Sequence, residues 1–256
     1  MTAVQALGLL PANVFVAFAV FCRVGAFFMT APAFGDFSLS PRIRLAAALA
    51  VSAAVAPVAA NAYPALTGAP LAMVMTIFTE IVAGVFLGLT ARVFMSALNV
   101  AGQIIAFQIG LSLAQIFDPT QELQGAIVGG FLAILGTTMI FATDAHHALL
   151  GALMDSYLFL APGEPIVIGD LSTVLTRALS EAFSLGLRLA APFVLFGIVF
   201  YIGAGVLNRL MPQAQVFFML MPANLMLGLL LLMLTTGLMM TVFLGAFEDF
   251  LADFFA

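Results

Sequence analysis

From Leu210 to Phe247 the sequence carries no charged residue. Drawn as one helix, that run would be about 57 Å long, against a hydrocarbon core of about 30 Å. The run must therefore be broken, strongly tilted or partly outside lipid. Pro212 and Pro222 are the expected break points, because proline removes a helix donor and disfavours helix just before it. A regular helix is expected over about 223–247. The rest of the chain is equally poor in charge. It is 64% hydrophobic and 7% charged, and has no lysine, where a soluble domain carries about 25% charged residues. Seven arginines and twelve acids cannot cover a solvated surface of ordinary size, so the chain reads as an integral membrane protein.

Phe is abundant and Trp absent, and alternating ten-residue strands are missing, which points to helices rather than an outer-membrane barrel with aromatic girdles. The fold class is thus all-α, with about six hydrophobic helical segments, several of them broken. They lie near 11–33, 43–60 (ending near Pro57), 70–98, 125–143, 178–206 and within 210–247. Arg42, Arg44 and Arg209 flank these segments on one side. The loops near 61–69 and 144–172 and the acidic tail hold no arginine. The positive-inside rule places the arginine loops in the cytoplasm and both termini opposite. The N-terminus lacks a basic region and does not read as a cleaved signal peptide. Cys22 is the only cysteine, which excludes an internal disulfide and fits helix packing. The net charge of −5 leaves no basic patch for nucleic acid.

Residues 102–125, GQIIAFQIGLSLAQIFDPTQELQG, hold five glutamines. On a helix over 99–116, Gly102, Ala106, Gly110 and Ala114 make one small-residue stripe. Gln108, Ser112 and Gln115 make a polar one, with Asn99 and Gln103 as an offset pair. Unpaired amides in hydrocarbon cost several kcal/mol each, so these amides face protein or water. Either they bond between helices, or the stretch is a re-entrant loop lining or blocking a conduit. The polar, proline-broken Asp118-Pro119-Thr120-Gln121-Glu122 directly after it favours the second.

Arg23, Glu80, Arg92 and Arg188 lie inside hydrophobic segments. Glu80 and Arg92 are about 18 Å apart along one helix and cannot pair, so each needs a partner elsewhere. A structural ion pair or a snorkelling arginine is favoured over a proton relay. Gly84-x-x-x-Gly88 and Gly125-x-x-x-Gly129 mark close-packing faces. Adjacent His146 and His147 are expected on different helix faces. No HExxH or CxxC supports a metal site, and no GxSxG context supports Ser112 with His147 as an enzyme pair. No cofactor is implied.

The order of landmarks resembles the FliR family, the flagellar member of the type III secretion export gate. It runs from Arg23, Pro32-Ala33-Phe34-Gly35 and Pro41-Arg42-x-Arg44 to Glu80-x-x-x-Gly84-x-x-x-Gly88. Gly102, Gln108, Gly110 and Asp118-Pro119 follow, then His146-His147-x-Leu149-Leu150, Ser156 and Pro162-Gly163. Ala191-Pro192, Arg209-Leu210-Met211-Pro212-Gln213, Val216-Phe217 and Pro222 complete it. Asp144-Ala145 departs from the pattern, standing where a glycine before the histidines is more usual, and Ala214-Gln215 replaces an expected Leu-Asn.

The resemblance implies a non-enzymatic core subunit of a closed helical ring in the bacterial inner membrane, at the flagellar basal body. Residues 1–178 would be FliP-like and 179–256 a FliQ-like helical hairpin. Partners would be FliP-like and FliQ-like subunits, an FlhB-like subunit, the lipid bilayer, and unfolded export substrates in transit. The stretch of about 106–122 would be an inward loop helping to plug the gate. Phe107, Gln108, Gly110, Ser112, Gln115, Phe117, Asp118 and Pro119 are its candidate residues. A polytopic ion- or proton-coupled small-solute transporter is the alternative, working through Glu80, Arg92 or Asp118.

Overall fold

The computed structural model describes residues 3–35, 40–63, 70–111, 123–166, 168–211 and 216–254. They form seven α-helices and no strand among the described residues. The helices are α1 (Ala3–Thr30), α2 (Pro41–Ala59), α3 (Pro70–Gln108), α4 (Leu123–Ala142), α5 (His146–Phe159), α6 (Ile168–Leu210) and α7 (Val216–Phe254), with a 3-10 turn at Ala60–Ala62. Helices α1, α2, α3, α6 and α7 are each long and apolar enough to cross a bilayer, and α4 with α5 forms a pair bent by 78° that passes jointly. The all-α membrane class and the count of about six segments hold.

Local signals explain several boundaries. Ser40 caps α2, its hydroxyl accepting the Ile43 N–H at 3.4 Å, and Pro41 occupies the first turn, where its missing N–H is harmless. The α4–α5 bend turns on Asp144, whose φ is 60°. That left-handed conformation is open to glycine and tolerated by aspartate, which is why glycine suits this position.

One expected proline break is corrected. Helix α7 runs unbroken for 39 residues through Pro222, about 58 Å, instead of starting at 223. Helix α6 likewise continues for 43 residues through Pro192, while α2 ends at Ala59, near Pro57 as expected. One proline forfeits a single ladder bond, whereas ending the helix in apolar surroundings would strand several backbone groups. In addition, α3 does not stop near 98 and hand over to a separate glutamine helix. It continues to Gln108 and stops there, so Gly110 lies beyond the helix and the projected stripe through it does not form.

The chain forms two compact units. One comprises Met1–Val93, Phe141–Ala178 and Glu248–Ala256; the other comprises Phe94–Ile140 and Leu179–Phe247. In the first, the Gly84-x-x-x-Gly88 face of α3 lies on the backbone of α1. A Cβ at Gly84 would collide with the Arg23 carbonyl, and one at Gly88 would approach the Ala31 nitrogen to 2.7 Å. Small residues are what permit that approach. Around it Phe27, Phe28 and Leu149 are fully buried, and the Phe28, Phe34 and Phe141 rings follow one another at 4.6 and 5.7 Å. In the second unit, a Cβ at Gly102 would meet the backbone of Gly129, and one at Gly186 would lie 2.8 Å from the Ala97 carbonyl. Phe94, Phe243 and Phe247 cluster within 5.9–6.3 Å.

Candidate functional site

In the second unit, the end of α3 is closed by a glycine turn. An α-helix leaves its last four carbonyls without helical partners; here each of the four finds one. Ile105 O accepts from Ile109 N at 3.0 Å, Ala106 O from Leu111 N at 3.0 Å, and Phe107 O from Gly110 N at 3.2 Å. Gln108 O accepts from Asn224 Nδ2 of α7 at 3.2 Å. With Gly110 at φ 85°, the paired bonds from residues 110 and 111 make a Schellman motif. A residue with a Cβ would cost roughly 1–2 kcal/mol there.

The turn is seated between α6 and α7. The Gln108 Oε1 atom occupies the place that a Cβ of Gly197 would take, and the Ile109 side chain does the same at Gly228. Ile109 is fully buried, while Phe107 is 66% exposed. Asn224 is 3% exposed. The Gln108 carbonyl requires the amide nitrogen of Asn224 to face it, and this leaves Oδ1 enclosed with no hydrogen-bond partner among the described residues. Of the candidate plug residues, the turn thus holds Gln108 and Gly110 together, with Phe107 projecting from it. Ser112, Gln115, Phe117, Asp118 and Pro119 lie outside the described residues.

The first unit holds a buried ionic network. Arg23 is 1% and Glu80 0% exposed. Arg23 Nε donates to Glu80 Oε2 at 2.7 Å and Nη2 to Oε1 at 2.9 Å, a bidentate pair between α1 and α3. Nη2 also donates to the Leu160 carbonyl at 2.7 Å, and Nη1 to Ser156 Oγ at 3.0 Å. Ser156 in turn donates to Leu153 O at 2.6 Å. The guanidinium lies 4.0 Å over the Tyr157 ring, a cation–π contact, and Tyr63 stands 6.4 Å from Tyr157. Burial, then the nearby Glu80 carboxylate, push the Tyr63 phenol well above its ordinary range, with Arg23 acting the other way. Among the described residues neither phenol oxygen makes a hydrogen bond of good geometry. Glu80 thus finds its partner on another segment, and Gly84 sits one helical turn beyond it against Arg23. Arg92 and Arg188 do not join this network and present exposed side chains.

The two adjacent histidines do not diverge as expected. Their rings stand 4.2 Å apart with a 33° tilt, because His147 Nδ1 turns back to within 3.2 Å of the Asp144 carbonyl at the bend. Asp144, His146 and His147 bring three ligand atoms within 4.8 Å of one another, with Asp144 and His147 exposed.

Sequence reasoning overlooked Tyr63, Tyr157 and Asn224. Asn224 had a visible signal: it is the one amide in α7, and a lone amide in an apolar helix needs a protein partner. The tyrosines had none, since their relevance comes only from lying near Arg23.

Long apolar helices, five of them able to cross a bilayer by length and composition, with buried polar groups joining helices inside each unit, define a polytopic all-α membrane protein. Over residues 14–250 the sequence matches the family described as bacterial export proteins, family 1, and the chain belongs to that family. The flagellar biosynthetic protein FliR of Caulobacter vibrioides is 35% identical over 242 residues, covering 94% of this chain and 96% of the relative. The proteins of the same name from Pectobacterium carotovorum and Escherichia coli are 31% and 30% identical, covering 83% and 82% of this chain and 80% of each relative.

Proposed function

We propose that this chain is a non-enzymatic core subunit of the flagellar type III protein export gate in the bacterial inner membrane. The family and the name carried by its relatives support that role over nearly the whole length. Within it, the seated turn at Gln108–Leu111 carries the finer reading. A long apolar helix is ended by glycine and held between two others, directly before the polar, glutamine-bearing 112–122. Amides there can bond within a shut assembly and meet water in an open one. Phe107, Ile109 and Leu111 would join Ile116 and Phe117 in an apolar seal. Residues 1–178 would correspond to a FliP-like part and 179–256 to a FliQ-like hairpin. That division concerns correspondence to partner chains and not compact units. FliP-like, FliQ-like and FlhB-like subunits would complete the hetero-oligomer around unfolded substrates in transit.

The transporter alternative is not favoured. Glu80, its best buried acid, is held bidentately by Arg23, and the family is one of export proteins. Two measurements test the proposal. The detergent-extracted chain should co-purify with FliP-like and FliQ-like chains. Deleting 109–114 should leave an assembled complex that leaks small molecules or ions across the inner membrane. An assembled, leak-free complex across several such deletions removes the plug role.

A further inference from the structure

Asn224 is the only side chain among the described residues that hydrogen-bonds the turn ending α3, and it does so across 116 residues of sequence. Resting on the gate reading above, we infer that Asn224 is a positioning residue: its amide latches the Gln108–Leu111 turn in the shut gate and lets it go when the gate opens.

The geometry supports a latch of small net strength rather than a rigid weld. Three of the four terminal carbonyls of α3 are satisfied inside the turn and travel with it. The Gln108 carbonyl alone depends on another helix. The remaining contacts to α6 and α7 are shape contacts, with Gln108 in the notch of Gly197 and Ile109 in the notch of Gly228. The turn can therefore leave its seat without unwinding. Asn224 also has only half of its amide engaged among the described residues, where Oδ1 is enclosed without a donor. A buried acceptor with no partner opposes the closed state. Water that follows the departing turn would reach both Oδ1 and the freed Gln108 carbonyl, offsetting the lost bond. One group thus holds the turn and lowers the cost of releasing it. A fully paired amide would hold harder, and an apolar residue of the same shape would not hold through a bond.

The test uses the whole assembled complex, in a Cys22→Ser background with Ile109→Cys as a reporter. Ile109 is fully buried, so maleimide labelling of the thiol reports departure of the turn. Asn224→Leu keeps the volume and removes the donor. Asn224→Ala and Asn224→Ser are milder probes, and Asn224→Gln keeps an amide donor. The expected result is native-gel assembly equal to the parent, with labelling faster by about tenfold in Asn224→Leu, the equivalent of about 1.4 kcal/mol. Labelling should return towards the parent in Asn224→Gln, and ion leakage should rise with labelling. Unchanged labelling in an assembled Asn224→Leu complex overturns the latch. So does failure of Asn224→Leu, Asn224→Ala and Asn224→Ser all to assemble, since a latch must be separable from the ring. Faster labelling with no leak keeps the latch and removes the plug reading. Unchanged labelling alongside a leak in the 109–114 deletion does the reverse.

Discussion

Removing Glu80 should harm this protein more than removing both Glu80 and Arg23. In Glu80→Leu the guanidinium of Arg23 keeps Ser156 Oγ at 3.0 Å, the Leu160 carbonyl at 2.7 Å and the face of Tyr157. It loses both charge-assisted bonds and its only counter-charge in the network, at 1% exposure. Breaking one side of a buried pair costs about 3–5 kcal/mol. Arg23→Met should cost as much for the stranded carboxylate, and about 1–3 kcal/mol more for the Leu160 carbonyl left without its donor. Ser156 adds little, because its hydroxyl still donates to Leu153. The double variant strands no charge, so it should cost only the orphaned Leu160 carbonyl, about 1–3 kcal/mol. Two severe single variants and a milder double variant are therefore expected. The assay is SDS titration of the detergent-extracted complex, read as loss of the native-gel band. A double variant as unstable as the sum of the singles, or a Glu80→Leu within about 1 kcal/mol of the parent, would refute the reasoning.

Gly110→Ala forces a Cβ onto a residue at φ 85° and should destabilise the α3 turn by roughly 1–2 kcal/mol, measured as earlier SDS unfolding with raised leakage. Asp144→Gly relieves a left-handed aspartate and should stabilise the complex by up to about 1 kcal/mol; a lower melting temperature would contradict this. The Tyr63 phenol keeps its proton in the folded chain, where burial raises its pKa, while an unfolded tyrosine ionises above about pH 10. The unfolded state then binds fewer protons, so stability should fall as pH climbs past about 10, and Tyr63→Phe should flatten that decline. Finally, Arg42 and Arg44 should be cytoplasmic and the acidic tail opposite; a cysteine at Asp253 labelled only from the cytoplasm would reverse the topology.

Composition and hydropathy were enough to read the class of this chain, because seven arginines and twelve acids are too few to cover a solvated surface, which leaves the apolar remainder to lipid and to protein. The Gly84–Gly88 face and the need of Glu80 for a distant partner were equally legible, since backbone approach and buried charge each admit few solutions. Helix ends were read less well. Pro222 signalled a break that tertiary packing overrode, because an apolar environment makes ending a helix dearer than losing one bond. Gly110 was legible as a bend, yet not as the end of α3, since the same glycine fits a stripe on a longer helix equally well in one dimension. The partners of these groups were out of reach. Arg23 meets Glu80 and Ser156, and Asn224 meets Gln108, across 57, 133 and 116 residues. No local propensity encodes a pairing at such separations; only the packing of helices in three dimensions selects which polar groups find one another.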